Sequence, residues 1–263
     1  MFKKLRSFIG RFFNENHQML IVMYLSDFFW FLRKYFLSVV IEYPEEFLKN
    51  WSSIRSNSSQ DKERNFTIYQ MIKVHNEIFK DKKTNIIEFG VDRGGTLTTI
   101  CKFIKSDSEI FALDSFGFFA DDIKENVTNY DSHYLGGYRP FTKETRFKQF
   151  DYLILQDQLN KVLGNKNSKL EIIKCHFPGK IAENHLKIIS SIKYSFVHID
   201  FDLYKPTLEV IKFIAPKLEK NAIILLDDYN FINQEGVKWA VKDSKINLNK
   251  CIQTQSGQLI CYT

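Results

Sequence analysis

SFVHIDFDLYKPTLEVIKFIAPKLEKNAIILLDDY, residues 195–229, decides the fold. It holds two short apolar runs, and each ends in acid. Phe196-Val197-His198-Ile199 runs into Asp200, and the run 222–226 runs into Asp227 and Asp228. A helical pattern extends from Pro206 to near Leu218 between them. Apolar run, helix and apolar run form a βαβ unit, so the two strands are expected to be parallel and adjacent. Their C-terminal ends then lie side by side, which brings three carboxylates to the sheet edge where open α/β proteins bind ligands. Such carboxylates repel one another unless something positive joins them, and a divalent cation is the economical candidate.

Upstream, TNIIEFGVDRGGTLTTICKFIK (84–105) reads as a buried strand, a glycine turn at Gly90, Gly94 and Gly95, and a helix. A turn of this kind lets a ligand approach the backbone and face a helix N-terminus. The spacing E-x-G-x-x-x-G-G is not G-x-G-x-x-G, which weighs against a nicotinamide cofactor. A second strand, 109–113, ends in Asp114-Ser115-Phe116, and an acid at that strand end is placed to accept both hydroxyls of a ribose.

The segment 116–145 is long and irregular and reads as a lid or substrate loop, with His133, Tyr134, Tyr138 and Arg139 as acceptor contacts. A helix over 147–163, a third strand over 170–174 and a helix over 182–192 lead back to the opening stretch. After it come a helix over 235–243 and a terminal β-hairpin, 251–253 and 259–262, around Thr254-Gln255-Ser256-Gly257. The expected architecture is α/β: a Rossmann-like, seven-stranded, mostly parallel sheet closed by that hairpin.

The N-terminal residues 1–60 read as a helical appendage, and 61–263 as the catalytic domain. Lys3, Lys4, Arg6 and Arg11 precede a very apolar stretch, 18–41, that is broken by Asp27, Arg33 and Lys34. Those charges argue against a membrane span. They leave either packing on the domain or a second subunit, or contact with a membrane surface. The expected setting is cytoplasmic, with the inner membrane face as the place of any such contact. SSIRSNSSQDKERN (52–65) reads as a linker. A net charge of +6 suits anionic substrates or a membrane surface without deciding between them. The four cysteines lack C-x-x-C spacing, so no zinc site and free thiols are expected, although Cys251 and Cys261 fall in strands that could face each other.

Taken in order, RNFTIYQ (64–70), IIEFGVDRGGT (86–96), ALDSF (112–116), HIDFDLYKPT (198–207), LLDDY (225–229) and the terminal hairpin resemble the macrocin O-methyltransferase family of sugar methyltransferases. The resemblance spans about 61–263. It implies a class I methyltransferase fold, S-adenosylmethionine as methyl donor, and Mg²⁺ bound by acids. Carried over by motif, Glu88, Gly90 and Gly94 would surround the methionine part of the donor. Asp114 would hold the ribose, and Ser115 and Phe116 would border the adenine. Asp200, Asp227 and Asp228 would be metal ligands, with Asp200 also a candidate base. His133 is the nearest candidate for the family's catalytic histidine, and His176 the next. The chain departs from the family pattern at Gly117-Phe118-Phe119 and at FPGKIAENH (177–185), both near the acceptor side.

The function implied is Mg²⁺-dependent O-methylation of a sugar or sugar-containing molecule by a homo-oligomer with no nucleic-acid partner. A methyltransferase for a non-sugar diol is the first alternative, although Leu203 stands where such enzymes often carry Lys. A nicotinamide-dependent oxidoreductase and a non-catalytic membrane-associated protein are the others. Asp202 is either a fourth acid or the cap of the following helix, and His198 shares a strand face with Asp200.

Overall fold

The structure, a computed structural model, describes residues 42–58, 60–105, 107–117, 126–131, 151–164, 166–177, 179–230, 235–247 and 250–263. Among these the elements in chain order are α1 (Glu45–Ser56), α2 (Lys62–Ile78), β1 (Thr84–Phe89), α3 (Gly95–Phe103), β2 (Ser108–Asp114), α4 (Tyr152–Leu163) and β3 (Lys169–Lys174). They continue with α5 (Glu183–Ser191), β4 (Tyr194–Ile199), α6 (Tyr204–Ile214), a 3-10 turn (Ala215–Lys217), β5 (Leu218–Leu226), α7 (Glu235–Asp243), β6 (Cys251–Gln253) and β7 (Leu259–Tyr262).

The seven strands form one sheet in the order β3-β2-β1-β4-β5-β7-β6. The first five are parallel. β7 runs antiparallel to β5, and β6 antiparallel to β7, so the terminal hairpin completes the sheet as expected. Strand order reverses between β1 and β4. That reversal opens a crevice beyond the carboxyl ends of the two strands. β4 is buried at all six positions, which is why it reads as an unbroken apolar run rather than an alternating one.

On one face of the sheet, Phe89, Phe177 and Phe213 meet at ring-centroid distances of 4.9–6.5 Å. They tie β1 to α6 and to the loop after β3. The helix expected over 206–218 instead runs Tyr204–Ile214 and tightens at Pro216, which cannot continue it. Its first free N–H, on Tyr204, donates to Asp131 Oδ1 at 2.8 Å, so Asp131 serves the role weighed for Asp202.

The compact unit that holds the sheet spans Glu45–Thr263, so a boundary at 60/61 falls inside it. Phe47 and Ile54 of α1 are fully buried. Phe47 packs on Phe66 and Tyr69 of α2, at 5.2 and 5.4 Å, and on Phe103 of α3 at 6.4 Å. Apolar residues at 47, 51 and 54 have helical spacing, and they carry the helix into what composition marked as a Ser-rich linker. The readings for residues 1–41, including membrane-surface contact, lie outside the described residues. Among the described residues no helix is long and apolar enough to cross a membrane.

Cys251 and Cys261 sit opposite each other in the β6–β7 ladder and are joined as a disulfide, with a Cα–Cα distance of 4.1 Å. This corrects the expectation of free thiols at those positions. Cys101 and Cys175 are free and buried, and burial pushes the Cys175 thiol up to about 12.

His75 of α2 is 1% exposed, and its Nε2 lies 2.8 Å from Ser195 Oγ at the start of β4. Burial holds its pKa down at about 4, so the folded ring is neutral. The stability that this contributes is complete above the ordinary histidine value near 6.5 and is lost as pH falls towards 4. Urea unfolding should show a loss of roughly 3 kcal/mol from this source between pH 7 and pH 4. A His75→Gln variant should show a correspondingly smaller loss. In the aromatic core, Phe89→Ala should cost about 3–5 kcal/mol in the same assay.

Candidate active site

Four residues in the turns that follow the central parallel strands adopt the left-handed region: Asp92 after β1 (φ 49°), Phe116 after β2 (φ 45°), Asp202 after β4 (φ 59°) and Asp228 after β5 (φ 55°). Aspartate tolerates this conformation, but a bulky aromatic residue does not adopt it freely, and the cost is about 1 kcal/mol or more. Local strain of this kind collects at functional edges, and all four residues line the crevice side of the sheet.

Gly90 begins the turn after β1 with φ +86°. A Cβ on it would lie 1.9 Å from the carbonyl oxygen of Asp200. Glycine there allows the β1 and β4 ends to meet, which sets the glycine turn directly against the first acid. Gly94 is the N-cap of α3, and no side chain caps that end of the helix.

Asp114, at the end of β2, accepts from Val91 N and Asp92 N through Oδ2, at 2.7 and 3.0 Å, and from Phe116 N through Oδ1 at 2.6 Å. It therefore shapes the glycine turn as well as standing where a ribose acid is expected. Desolvation raises its pKa, and the three backbone donors oppose that shift. Phe116 stacks on Tyr152 with ring centroids 5.1 Å apart, and Gly117 N donates to Ser115 Oγ at 3.3 Å.

Glu88 is fully buried. Its Oε1 accepts from Thr96 Oγ1 and lies 2.9 Å from His198 Nδ1. Through Oε1 the Glu88 carboxylate braces α3 and β4, while Oε2 is buried with no hydrogen-bond partner. The cross-strand register places Glu88 directly opposite His198.

Asp200, Asp227 and Asp228 converge as the βαβ reading requires. Carboxylate oxygens of Asp200, Asp202 and Asp228 lie within 4.8 Å of one another, as do a ring nitrogen of His198 and oxygens of Asp200 and Asp227. A positive partner is already present. Arg64, in the first turn of α2, donates from Nη1 to Asp227 Oδ2 at 3.2 Å and from Nη2 to Asp228 Oδ1 at 2.7 Å. Asp61 caps that turn by accepting from Arg64 N at 2.9 Å. Gln60 Nε2 donates to Asp200 Oδ2 at 2.9 Å and also to Asp227 Oδ2. In the sequence Arg64 stands out only as the start of a motif, and Gln60 carries no signal of its own.

The electrostatics follow from this geometry. Desolvation first, and then the charges of Asp227, Asp228 and Asp202, push the Asp200 carboxyl well above its usual range, with Arg64 opposing. Desolvation also raises Asp227, against the pull of Arg64. Burial opposes the charge on Arg64, yet Asp227, Asp228 and Asp200 together hold it firmly protonated. One guanidinium is set against the carboxylates of Asp200, Asp202, Asp227 and Asp228, an excess of negative charge that a divalent cation would offset. The donors are hard oxygens, and Asp227 Oδ1, which is buried, has no hydrogen-bond partner. Donor type, charge balance and this orphaned oxygen all fit Mg²⁺.

His133, Tyr134, Tyr138 and Arg139 lie outside the described residues. His176 is exposed beyond the end of β3, where it bridges to Lys180. β3 is an edge strand, separated from β4 by β2 and β1.

No protein-family model matches the chain, and the comparison with curated proteins finds no match. Solved structures do match. CalS11, described as calicheamicin methyltransferase, has a TM-score of 0.56 at 18% identity over 85% of this chain and 94% of its own. A second CalS11 structure, described as the apo form of TDP-rhamnose 3'-O-methyltransferase, has a TM-score of 0.50 at 17% identity over 85% and 96%. The O-methyltransferase NovP has a TM-score of 0.54 at 14% identity over 78% and 81%. At these identities the likeness shows the fold, which is the Rossmann-like α/β fold of these methyltransferases.

A raised folded pKa stabilises the fold below the unfolded value and loses that contribution as pH rises through the folded value. Asp200→Asn should therefore stabilise the ligand-free protein at pH 7 while leaving it unchanged near pH 3. A gain of about 1 kcal/mol would raise Tm by roughly 2–4 °C for a chain of this size. Thermal melts of chelator-treated wild type and variant at both pH values check it, and an equal or lower Tm at pH 7 would refute it.

Proposed function

We propose that the chain is a Mg²⁺-dependent O-methyltransferase that moves a methyl group from S-adenosylmethionine to a hydroxyl of a sugar, a sugar-containing metabolite or a surface glycan. The observation that carries the reading is the acid cluster, with carboxylates in excess of its one guanidinium, set against a glycine turn at one sheet edge. The motif resemblance to macrocin O-methyltransferases and the sugar named for CalS11 support the choice of acceptor class.

When bound, S-adenosylmethionine supplies an electrophilic methyl group on a sulfonium, and Mg²⁺ supplies Lewis acidity that lowers the pKa of a chelated hydroxyl. The chain's own residues do the rest. The turn from Gly90 to Gly94 and the N-terminus of α3 accept the donor's methionine part, and Asp114 accepts its ribose hydroxyls. Asp200, Asp227 and Asp228 hold the cation, with Arg64 fixing the orientation of the last two. Asp200 stands at the junction of the two halves, because Gly90 presses against its backbone. Its carboxylate takes the proton that the acceptor hydroxyl releases, either directly or through a water. Orientation is the larger contribution, since the acceptor oxygen must be held roughly 3 Å from the methyl carbon.

Two measurements test the proposal. S-adenosylhomocysteine at about a hundredfold excess over its Kd should stabilise the protein by about 2.7 kcal/mol. For a chain of this size that is a rise in Tm of roughly 5–10 °C, and NADH should give none. Methyl transfer to a panel of nucleotide-linked sugars should stop on chelation and return with Mg²⁺. Turnover indifferent to chelator would sink the metal dependence, and a melt unmoved by S-adenosylhomocysteine would sink the donor.

A further inference from the structure

Asn57, Ser58 and Gln60, which read in the sequence as part of a linker, make contacts with α3, α2 and the acids. Asn57 Nδ2 donates to Thr98 Oγ1 of α3 at 3.4 Å, and Asn65 Nδ2 of α2 donates to Ser58 Oγ at 3.0 Å. A Cβ on Gly95 would lie 2.4 Å from Ser58 Cβ and 2.6 Å from Ser58 Cα, so the absence of a side chain there is what admits Ser58. Gln60 N donates to Ser58 Oγ at 3.1 Å, which fixes the backbone from which the Gln60 side chain reaches the acids.

The Gln60 amide is half satisfied. Nε2 donates to two carboxylates, those of Asp200 and Asp227. Oε1 is shut off from solvent and has no hydrogen-bond partner. Two other atoms of the cluster share that condition, Asp227 Oδ1 and His198 Nε2, on residues 1% and 0% exposed. An unpartnered buried acceptor costs about 1–3 kcal/mol, which a ligand for Gln60 Oε1 would offset.

We propose that Gln60 is a ligand of the cation through Oε1, an inference that rests on the Mg²⁺ reading above. In the arrangement seen here the amide N–H₂ stands in for a cation by bridging two carboxylates. A half-turn of the amide exchanges Nε2 and Oε1 within the same footprint and presents a hard neutral oxygen to the acids' shared partner. A primary amide carries a donor group and a hard carbonyl acceptor on one pivot. Three carboxylate oxygens and this amide oxygen would leave two of the roughly six positions of Mg²⁺, the number that two neighbouring hydroxyls of a chelating acceptor would fill. Asn57 and Ser58 lie against α3 beside the glycine turn, so Gln60 would place one cation ligand two positions from residues that border the donor side.

Isothermal titration of chelator-stripped, full-length protein with MgCl₂ tests the inference without turnover. Wild type should bind saturably. Gln60→Met, which keeps the length and removes the oxygen, should weaken binding by about tenfold or more. Gln60→Glu should bind more tightly than Gln60→Met, because an oxygen ligand is restored. Gln60→Ala serves in place of Gln60→Met should the thioether prevent folding. Mg²⁺ binding by Gln60→Met as tight as wild type, or tighter, would overturn the ligand role, since an amide that merely plugs the cluster would release affinity when removed. A wild type that binds no Mg²⁺ would remove the metal reading itself, and the Gln60 proposal with it.

Discussion

The guanidinium of Arg64, clamped between Asp227 and Asp228, is the interaction on which the rest of the site depends. Three carboxylates drawn together at the ends of parallel strands would repel one another and resist desolvation. One buried cation relieves part of that repulsion and leaves the remainder for a ligand. A buried ion pair is weak evidence of net stability, but removing one partner leaves charge uncompensated at a cost of about 3–5 kcal/mol. Much of the N-terminal part of the unit serves to place this group. α2 is capped by Asp61 so that its first turn presents Arg64, and Phe47 of α1 packs against Phe66 and Tyr69 of the same helix.

The second half of the site depends on one close approach. Gly90 lets β1 and β4 meet at the Asp200 carbonyl. The glycine turn and the first acid are thereby joined with no side chain between them. On the proposed reading, this approach is the physical basis for a two-ligand site in which Asp200 would belong to both halves. Glu88 and His198, side by side in the register, lie behind that junction and tie α3 to β4.

The central strands were legible because strands buried on both faces leave unbroken apolar runs, and the acids were legible because they end those runs. The βαβ rule then carried Asp200, Asp227 and Asp228 to one edge without any coordinate. The glycine turn and Asp114 could be placed for the same reason. What sequence could not supply was the partner across space. Arg64 is separated from Asp227 by 163 positions and Gln60 from Asp200 by 140, and neither spacing carries a periodic signal. Gln60 was also masked by Ser-rich surroundings that resemble a linker, whereas burial of Phe47 and Ile54 makes the preceding residues a helix. Asp131 is 73 positions from Tyr204, so a tertiary contact caps α6 where a local residue was expected. The Cys251–Cys261 bond depended on the hairpin register, which composition does not encode.

The central claim is that the acid cluster facing the glycine turn is a divalent cation site. Anomalous diffraction from crystals soaked in Mn²⁺ and S-adenosylhomocysteine tests it most directly. The account predicts one peak at about 2.1 Å from carboxylate oxygens of at least two of Asp200, Asp227 and Asp228, with the donor product lying along the glycine turn. Crystals that hold the donor product at that turn but show no peak at the acids, with Gln60 and Arg64 still bonded as they are here, would contradict it.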